Sequence, residues 1–199
     1  MSESTRQWQK IIGTEVDGKF GPNTLRKSIE YAEKNGTPIE KQIIESNKFT
    51  LTKTSRPVNE VIIHCAATPE GRDVSVETIR AWHKQRGWND IGYHYVVLLD
   101  GTIKKGRPVN QTGAHVRNRN RNTIGVVYVG GIDKSGKAKD TRTTAQKEAL
   151  LWLTKNLAKM YNLQRISGHN QYAAKACPSF DVRTDELGNI PGYSKGVRK

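Results

Sequence analysis

The chain holds five histidines, His64, His83, His94, His115 and His169, and two cysteines, Cys65 and Cys177. Three of these seven stand where distant side chains can meet. His64 lies near the end of the apolar run over residues 61–66, where a buried strand can project a side chain from the sheet edge into a cleft. His169 follows Gly168 after a helical stretch, and Cys177 comes eight residues later in a loop-like segment. Two imidazoles and a thiolate suit zinc, which accepts mixed nitrogen and sulfur ligands and keeps its fourth position for water when catalytic. Spacing alone leaves a second reading open: two satisfied histidines and a buried free thiol. Neighbours along a strand point to opposite faces, so His64 and Cys65 are not expected in one site, and Cys65 would face the core. A Cys65–Cys177 disulfide would consume the thiolate that a metal needs, and nothing in the sequence indicates an oxidising compartment.

The elements that must position these residues can be read from residue 58 onward. Ser75 is placed to cap a helix carrying Val76, Ile79 and Trp82, with Glu77 in its first turn. Residues 93–99 read as a strand that meets Asp100-Gly101, a two-residue hairpin signal, before a second strand from Thr102. Residues 124–129 form another buried strand, ended by Gly130-Gly131. Residues 144–161 form a long helix whose Ala149, Leu150, Leu153, Leu157 and Met160 share a core-facing side. Strands and helices intermixed around a hairpin predict an α/β domain, a mixed central β-sheet flanked by helices. The first ~35 residues are a separate small helical unit, too short to bury much core. Its turn 16–24 leads into a stripe of Leu25, Ile29 and Ala32 that stops near Gly36. The expected organisation is a helical module over 1–40, a linker over 41–57, the main domain over 58–181 and a basic tail over 182–199.

Composition bounds the function. The 199 residues include 33 Lys and Arg against 19 Asp and Glu, a net charge of +14, and the excess falls mainly on residues 58–181. Such charge attracts polyanions: nucleic acid, anionic lipid or a cell-wall polymer. No aromatic-interleaved basic motif supports a specific nucleic-acid partner. The alternating run Arg117-Asn118-Arg119-Asn120-Arg121 reads equally as a solvated loop or a ligand-facing one. No apolar stretch approaches the ~18 residues of a spanning helix, and residues 1–9 lack the apolar core of a secretory leader.

Taken in order, the motifs resemble a known family. They are VIIHCAAT (61–68), Trp82-His83-Lys84, GWNDIGYHY (87–95), Asp100-Gly101-Thr102, Gly113-Ala114-His115, Asn122-Thr123-Ile124-Gly125, VGGID (129–133), and Gly168-His169 with KACPSFD (175–181). This series resembles the zinc-dependent N-acetylmuramoyl-L-alanine amidases, in their phage-lysin branch, whose fold is shared with peptidoglycan recognition proteins. The resemblance covers residues 58–181 and implies Zn2+ held by His64, His169 and Cys177, with Tyr93 and Lys175 at the family's catalytic positions. His115 would touch substrate, and His94 would pack. Cys177 replaces the Asp usual in the cell-wall-recycling members.

The implied activity is cleavage of the amide between the lactyl group of N-acetylmuramic acid and the L-alanine of the stem peptide, leading to bacterial lysis. A non-catalytic recognition protein and a regulator of a phage RNA polymerase are the alternatives. The implied partners are bacterial peptidoglycan and the anionic outer-membrane surface, met by a monomer made in the host cytoplasm that reaches the wall once the membrane is permeabilised. The N-terminal DGKFGPNT (17–24), after Trp8-Gln9 and Gly13, is similar to a peptidoglycan-binding domain. Its start is shortened, and Tyr31-Ala32 stands near the place of the usual closing Phe-Gln.

Overall fold

A computed structural model of the chain describes residues 3–16, 24, 27–28, 30–31, 34 and 49–190. The chain divides into two compact units, Met1–Thr50 and Leu51–Lys199. In the first, helix α1 (Glu3–Ile11) ends at Gly13, which takes the left-handed φ of 67° that an L side chain resists. Gln9 is buried there and its Nε2 donates to Thr24 Oγ1 at 3.0 Å. The turn 17–23 and the stripe Leu25, Ile29 and Ala32 lie outside the described residues, as do the tail residues 191–199.

The second unit is built on β1 (Glu60–Cys65), β2 (Thr68–Pro69), α2 (Val76–Gln85), β3 (Tyr95–Val97), β4 (Ile103–Lys105), β5 (Thr123–Tyr128), β6 (Gly131–Ile132), α3 (Thr144–Met160) and β7 (Arg165–Gly168). Five strands form one sheet in the order β4-β3-β5-β1-β7, and β2 pairs with β6 separately. Only the β3–β4 pairing is antiparallel in the main sheet; β3–β5, β5–β1 and β1–β7 are parallel. The expected mixed sheet with flanking helices is therefore what forms.

Local chemistry explains the elements. The Ser75 side chain accepts from Thr78 N and starts α2; Thr143 and Gln146 form a reciprocal capping box at the start of α3. Val96 and Val127 pack with Val76, Ile79 and Ile91, so α2 covers that face of the sheet. His64 is the register partner of Val127, and its side chain emerges on the same face. The opposite face is left for α3, whose Leu150, Leu153 and Leu157 are fully buried and whose Gln146 Nε2 donates to the Val97 and Val129 carbonyls.

Two details differ from the sequence reading. The hairpin closes on a three-residue loop, because Leu98 N donates to Thr102 O and Gly101 N to Leu98 O, with Gly101 at φ 85°. Asp100 spends its carboxylate on Thr102 N and Oγ1, which favours this turn over the two-residue form. Residues 182–190 are also packed rather than trailing: Val182, Leu187 and Ile190 are buried, and a 3-10 turn spans Glu186–Asn189. Ahead of β1, Arg56 donates to the carbonyls of Val109, Arg121 and Thr123, tying residues 54–57 to the domain. No described helix is long and apolar enough to cross a membrane.

Candidate metal centre

His64 is fully buried at the end of β1, on the α2 face. His169 opens a 3-10 turn straight after β7, the strand beside β1. Cys177 arrives on the following loop, which is held from several sides. Asn170 N donates to Cys177 O at 2.7 Å, and Tyr128 Oη donates to Pro178 O at 2.7 Å. Ser179 Oγ donates to Gly131 O at 2.7 Å. These bonds bring the donor atoms of His64, His169 and Cys177 within 4.8 Å of one another. Among the described residues this is the cluster of His, Cys, Asp or Glu side chains able to hold a metal ion.

The donor set fits zinc. Tetrahedral zinc with nitrogen at ~2.0 Å and sulfur at ~2.3 Å places its ligand atoms roughly 3.3–3.6 Å apart. Cys177 Sγ already stands 3.7 Å from His64 Nδ1. The Cys65 amide donates to the same sulfur at 3.3 Å, a contact that favours a thiolate. Cys65 is thus closer to the site than strand alternation suggests. It ends β1, and the Cys177 loop passes over that end: the Cys65 backbone meets Cys177 Sγ, and the Cys65 sulfur lies 3.6 Å from Ser179 Oγ on the same loop. Both cysteines are free.

Burial sets the protonation of the cluster. It holds His64 well below the ordinary imidazole value, assisted by His115, His169 and the Lys175 charge. His169 is lowered by burial and then by Lys175. Both are therefore neutral at pH 7, the form that ligates. Hydrogen bonding to the Cys65 side chain and burial raise the Cys177 thiol and outweigh the Cys65 amide, so a metal must displace its proton.

The Tyr93 ring centroid lies 5.0 Å from that of His64, and burial pushes its phenol above the usual range. Lys175 is exposed at the edge of the cluster, where its charge acts on both histidines. His94 packs within the protein: its Nδ1 accepts from Gly125 N at 3.0 Å, and its Nε2 donates to Gln111 O at 3.0 Å. Burial lowers it to about 4. His83 is lowered to about 4 by burial and accepts from Gly92 N. His115 is 8% exposed, with Nδ1 against His64 Nε2 and Nε2 against Thr123 Oγ1. The arginine run is solvent-facing at Arg117, Arg119 and Arg121; Arg119 lies over the Tyr172 ring at 4.9 Å and, with Arg121 and Arg165, lines a cavity of about 270 Å³.

A family profile described as N-acetylmuramoyl-L-alanine amidase matches residues 54–180, more than half of the chain. The chain belongs to this amidase family. It is 42% identical over 136 residues to an endolysin of Klebsiella phage KP32, spanning 68% of this chain and 89% of that one. To an endolysin of Escherichia phage T7 it is 40% identical over 131 residues, spanning 66% and 87%. Among solved structures, the amidase LysC from Clostridium intestinale superposes with a TM-score of 0.59 at 26% identity, over 73% of this chain and 96% of that one. Bumblebee PGRP-SA gives 0.57 at 25% identity, over 75% and 94%. The amidase fold thus carries a lysin-type sequence.

Sequence reasoning did not find the groups that hold the ligands in place. Arg142 pairs with Asp140 and Asp185 and lies 3.4 Å over the Phe180 ring, three residues past Cys177. Glu60 accepts from Ser167 and Tyr172 beside the His169 turn. Thr123 stands under His115. The Arg142–Asp185, Arg142–Phe180 and Glu60 contacts join residues far apart in sequence, and no local pattern announces these roles.

Proposed function

We propose that this amidase is a lytic peptidoglycan hydrolase that cuts the amide between the lactyl group of N-acetylmuramic acid and the L-alanine of the stem peptide, with zinc held by His64, His169 and Cys177. The observation that carries the reading is the convergence of two neutral imidazoles and a thiol, from three separate segments, on one point at the sheet edge. Zinc, when bound, polarises a carbonyl and lowers the pKa of water toward ~7. The protein supplies the rest. Lys175 brings a positive charge to the cluster, suited to the oxyanion that develops as the carbonyl carbon becomes tetrahedral. Tyr93 keeps its proton and can donate a hydrogen bond to the reacting oxygen or to the leaving nitrogen. The carbon–nitrogen bond breaks, the acyl carbon keeps the hydroxyl of water, and the L-alanine nitrogen leaves with a proton.

The N-terminal unit, residues 1–40, is proposed to hold the enzyme on the wall and so raise its local concentration. The basic surface would add attraction to the anionic wall and outer membrane. The test is digestion of purified sacculi with and without chelator. New L-alanine amino termini without new reducing sugars are expected, and chelation should abolish them. Wall binding without any cleavage would instead support a non-catalytic recognition protein.

A further inference from the structure

His115 is the histidine whose surroundings are most specific and whose task the ligand cluster does not use. Asn120 Oδ1 accepts from the backbone of both His115 and Val116 at 2.9 Å, which fixes the loop that carries it. Its ring lies in a slot that two glycines leave open. A Cβ on Gly125 would sit 2.6 Å from His115 Cγ and Cδ2, and one on Gly113 would sit 2.6 Å from Cδ2. Such approaches are well inside ordinary contact distance, so strand and loop are both hollowed to admit the imidazole.

The direction of each hydrogen bond follows from the far end. Thr123 Oγ1 lies 2.8 Å from the Arg119 carbonyl, which can only accept, so the hydroxyl spends its one proton there. At 3.2 Å from His115 Nε2, the same oxygen must then accept, and His115 carries its proton on Nε2. A buried imidazolium facing only His64 and Thr123 would be costly, so Nδ1 of His115 is left as an acceptor. It takes the proton of His64 Nε2 at 3.1 Å. His64 then has a bare lone pair on Nδ1, the atom that stands 3.7 Å from Cys177 Sγ.

We infer that Thr123 and His115 are positioning residues: a relay from the Arg119 carbonyl through Thr123 and His115 that locks His64 in the Nε2-protonated tautomer and so aims its Nδ1 lone pair at the metal position. Partners of this kind, behind a histidine ligand, fix tautomer and ring orientation together, and removing one typically weakens metal binding about 10- to 100-fold. Here the partner is a second histidine anchored on a threonine, rather than a carboxylate. A neutral relay leaves the site without added negative charge, and every proton in it has a single possible place. The inference rests on the metal reading of the site for its consequence, but not for the tautomers themselves.

The test has two arms. In the zinc-free wild-type protein, nitrogen-15 NMR of the imidazoles should show His64 and His115 both protonated on Nε2. A proton on Nδ1 of either ring would overturn the relay, whatever the protein does to peptidoglycan. The second arm compares Thr123→Val with Thr123→Ser, both checked for native fold by circular dichroism. Valine keeps the branched shape that suits a strand and removes the hydroxyl. In Thr123→Val, His64 should show a mixture of tautomers, and competition with a chromophoric chelator should show zinc held at least about tenfold more weakly. Serine should restore both. Wild-type zinc affinity in Thr123→Val would overturn the positioning role, as would loss of affinity that serine fails to restore. A wild-type chain that held no zinc would overturn the reading of the metal site, and the tautomers would still decide the relay.

Discussion

Arg142→Met removes a guanidinium whose side chain is 3% exposed and whose charge is shared by two carboxylates. Nε and Nη2 donate to the two oxygens of Asp140 at 2.9 and 2.8 Å, and Nη2 also reaches Asp185 at 2.7 Å. Breaking a buried pair by deleting one partner costs about 3–5 kcal/mol, because the remaining charge is stranded. Asp140 and Asp185 keep side-chain exposures of 30% and 22%, so water recovers part of that loss and the lower end applies, about 3 kcal/mol. In a domain of roughly 150 residues this lowers Tm by about 6–12 °C. The assay is urea unfolding of wild type and variant at pH 7, with m values compared to check that the transition is unchanged. Acid supplies an internal control. Burial opposes ionisation of Asp140, but its hydrogen bonds to Arg142 win and hold its carboxyl below the ordinary value. A depressed carboxylate stabilises fully above its unfolded pKa of ~3.9, and that stabilisation is lost as pH falls through the folded value. The gap between wild type and Arg142→Met should therefore narrow below about pH 4. A loss under about 1 kcal/mol at pH 7, or a gap that stays constant into acid, would refute the reasoning.

Cys177→Ser should weaken zinc binding by about 100-fold, one ligand's share of a typical site, and abolish amidase activity; zinc content after dialysis measures it. Tyr93→Phe should retain zinc and lower kcat by about 100-fold with KM little changed, and Lys175→Met should do the same by about 100- to 1000-fold, read from release of L-alanine amino termini on a soluble muropeptide. Raising ionic strength to about 0.5 M, where charges are screened within a few ångströms, should slow digestion of intact walls far more than cleavage of that muropeptide. Equal sensitivity of the two substrates would separate the +14 charge from wall recognition.

What the sequence makes legible is what is decided locally. Ser75 announces the start of α2 because the capping bond reaches only three residues, to Thr78 N. The apolar run through His64 announces β1 because strand burial is written in consecutive residues. The 93–99 strand is shorter in the fold, Tyr95–Val97, because Tyr93 and His94 spend their carbonyls on Arg107 N and Gly106 N, beyond the β3–β4 register. That irregularity depends on where a loop returns, and hydropathy carries no record of it.

The histidines show the same boundary more sharply. Residue type and position bring His64, His169 and Cys177 forward as one of two open readings, and it is the resemblance of the whole motif series that selects them as ligands. The same resemblance places His115, one of the same five histidines, only as a substrate contact near the site and says nothing of a positioning role. Its place is decided by which atom faces its second nitrogen, and that atom belongs to Thr123, while its first nitrogen faces a ring 51 positions away in sequence. A histidine with both nitrogens satisfied inside the protein has no lone pair left for a metal or a substrate. The distinction between a histidine that binds and a histidine that aims another is thus a matter of proton inventory. It turns on the Thr123 hydroxyl and the Arg119 carbonyl, two groups that any spacing-based search passes over.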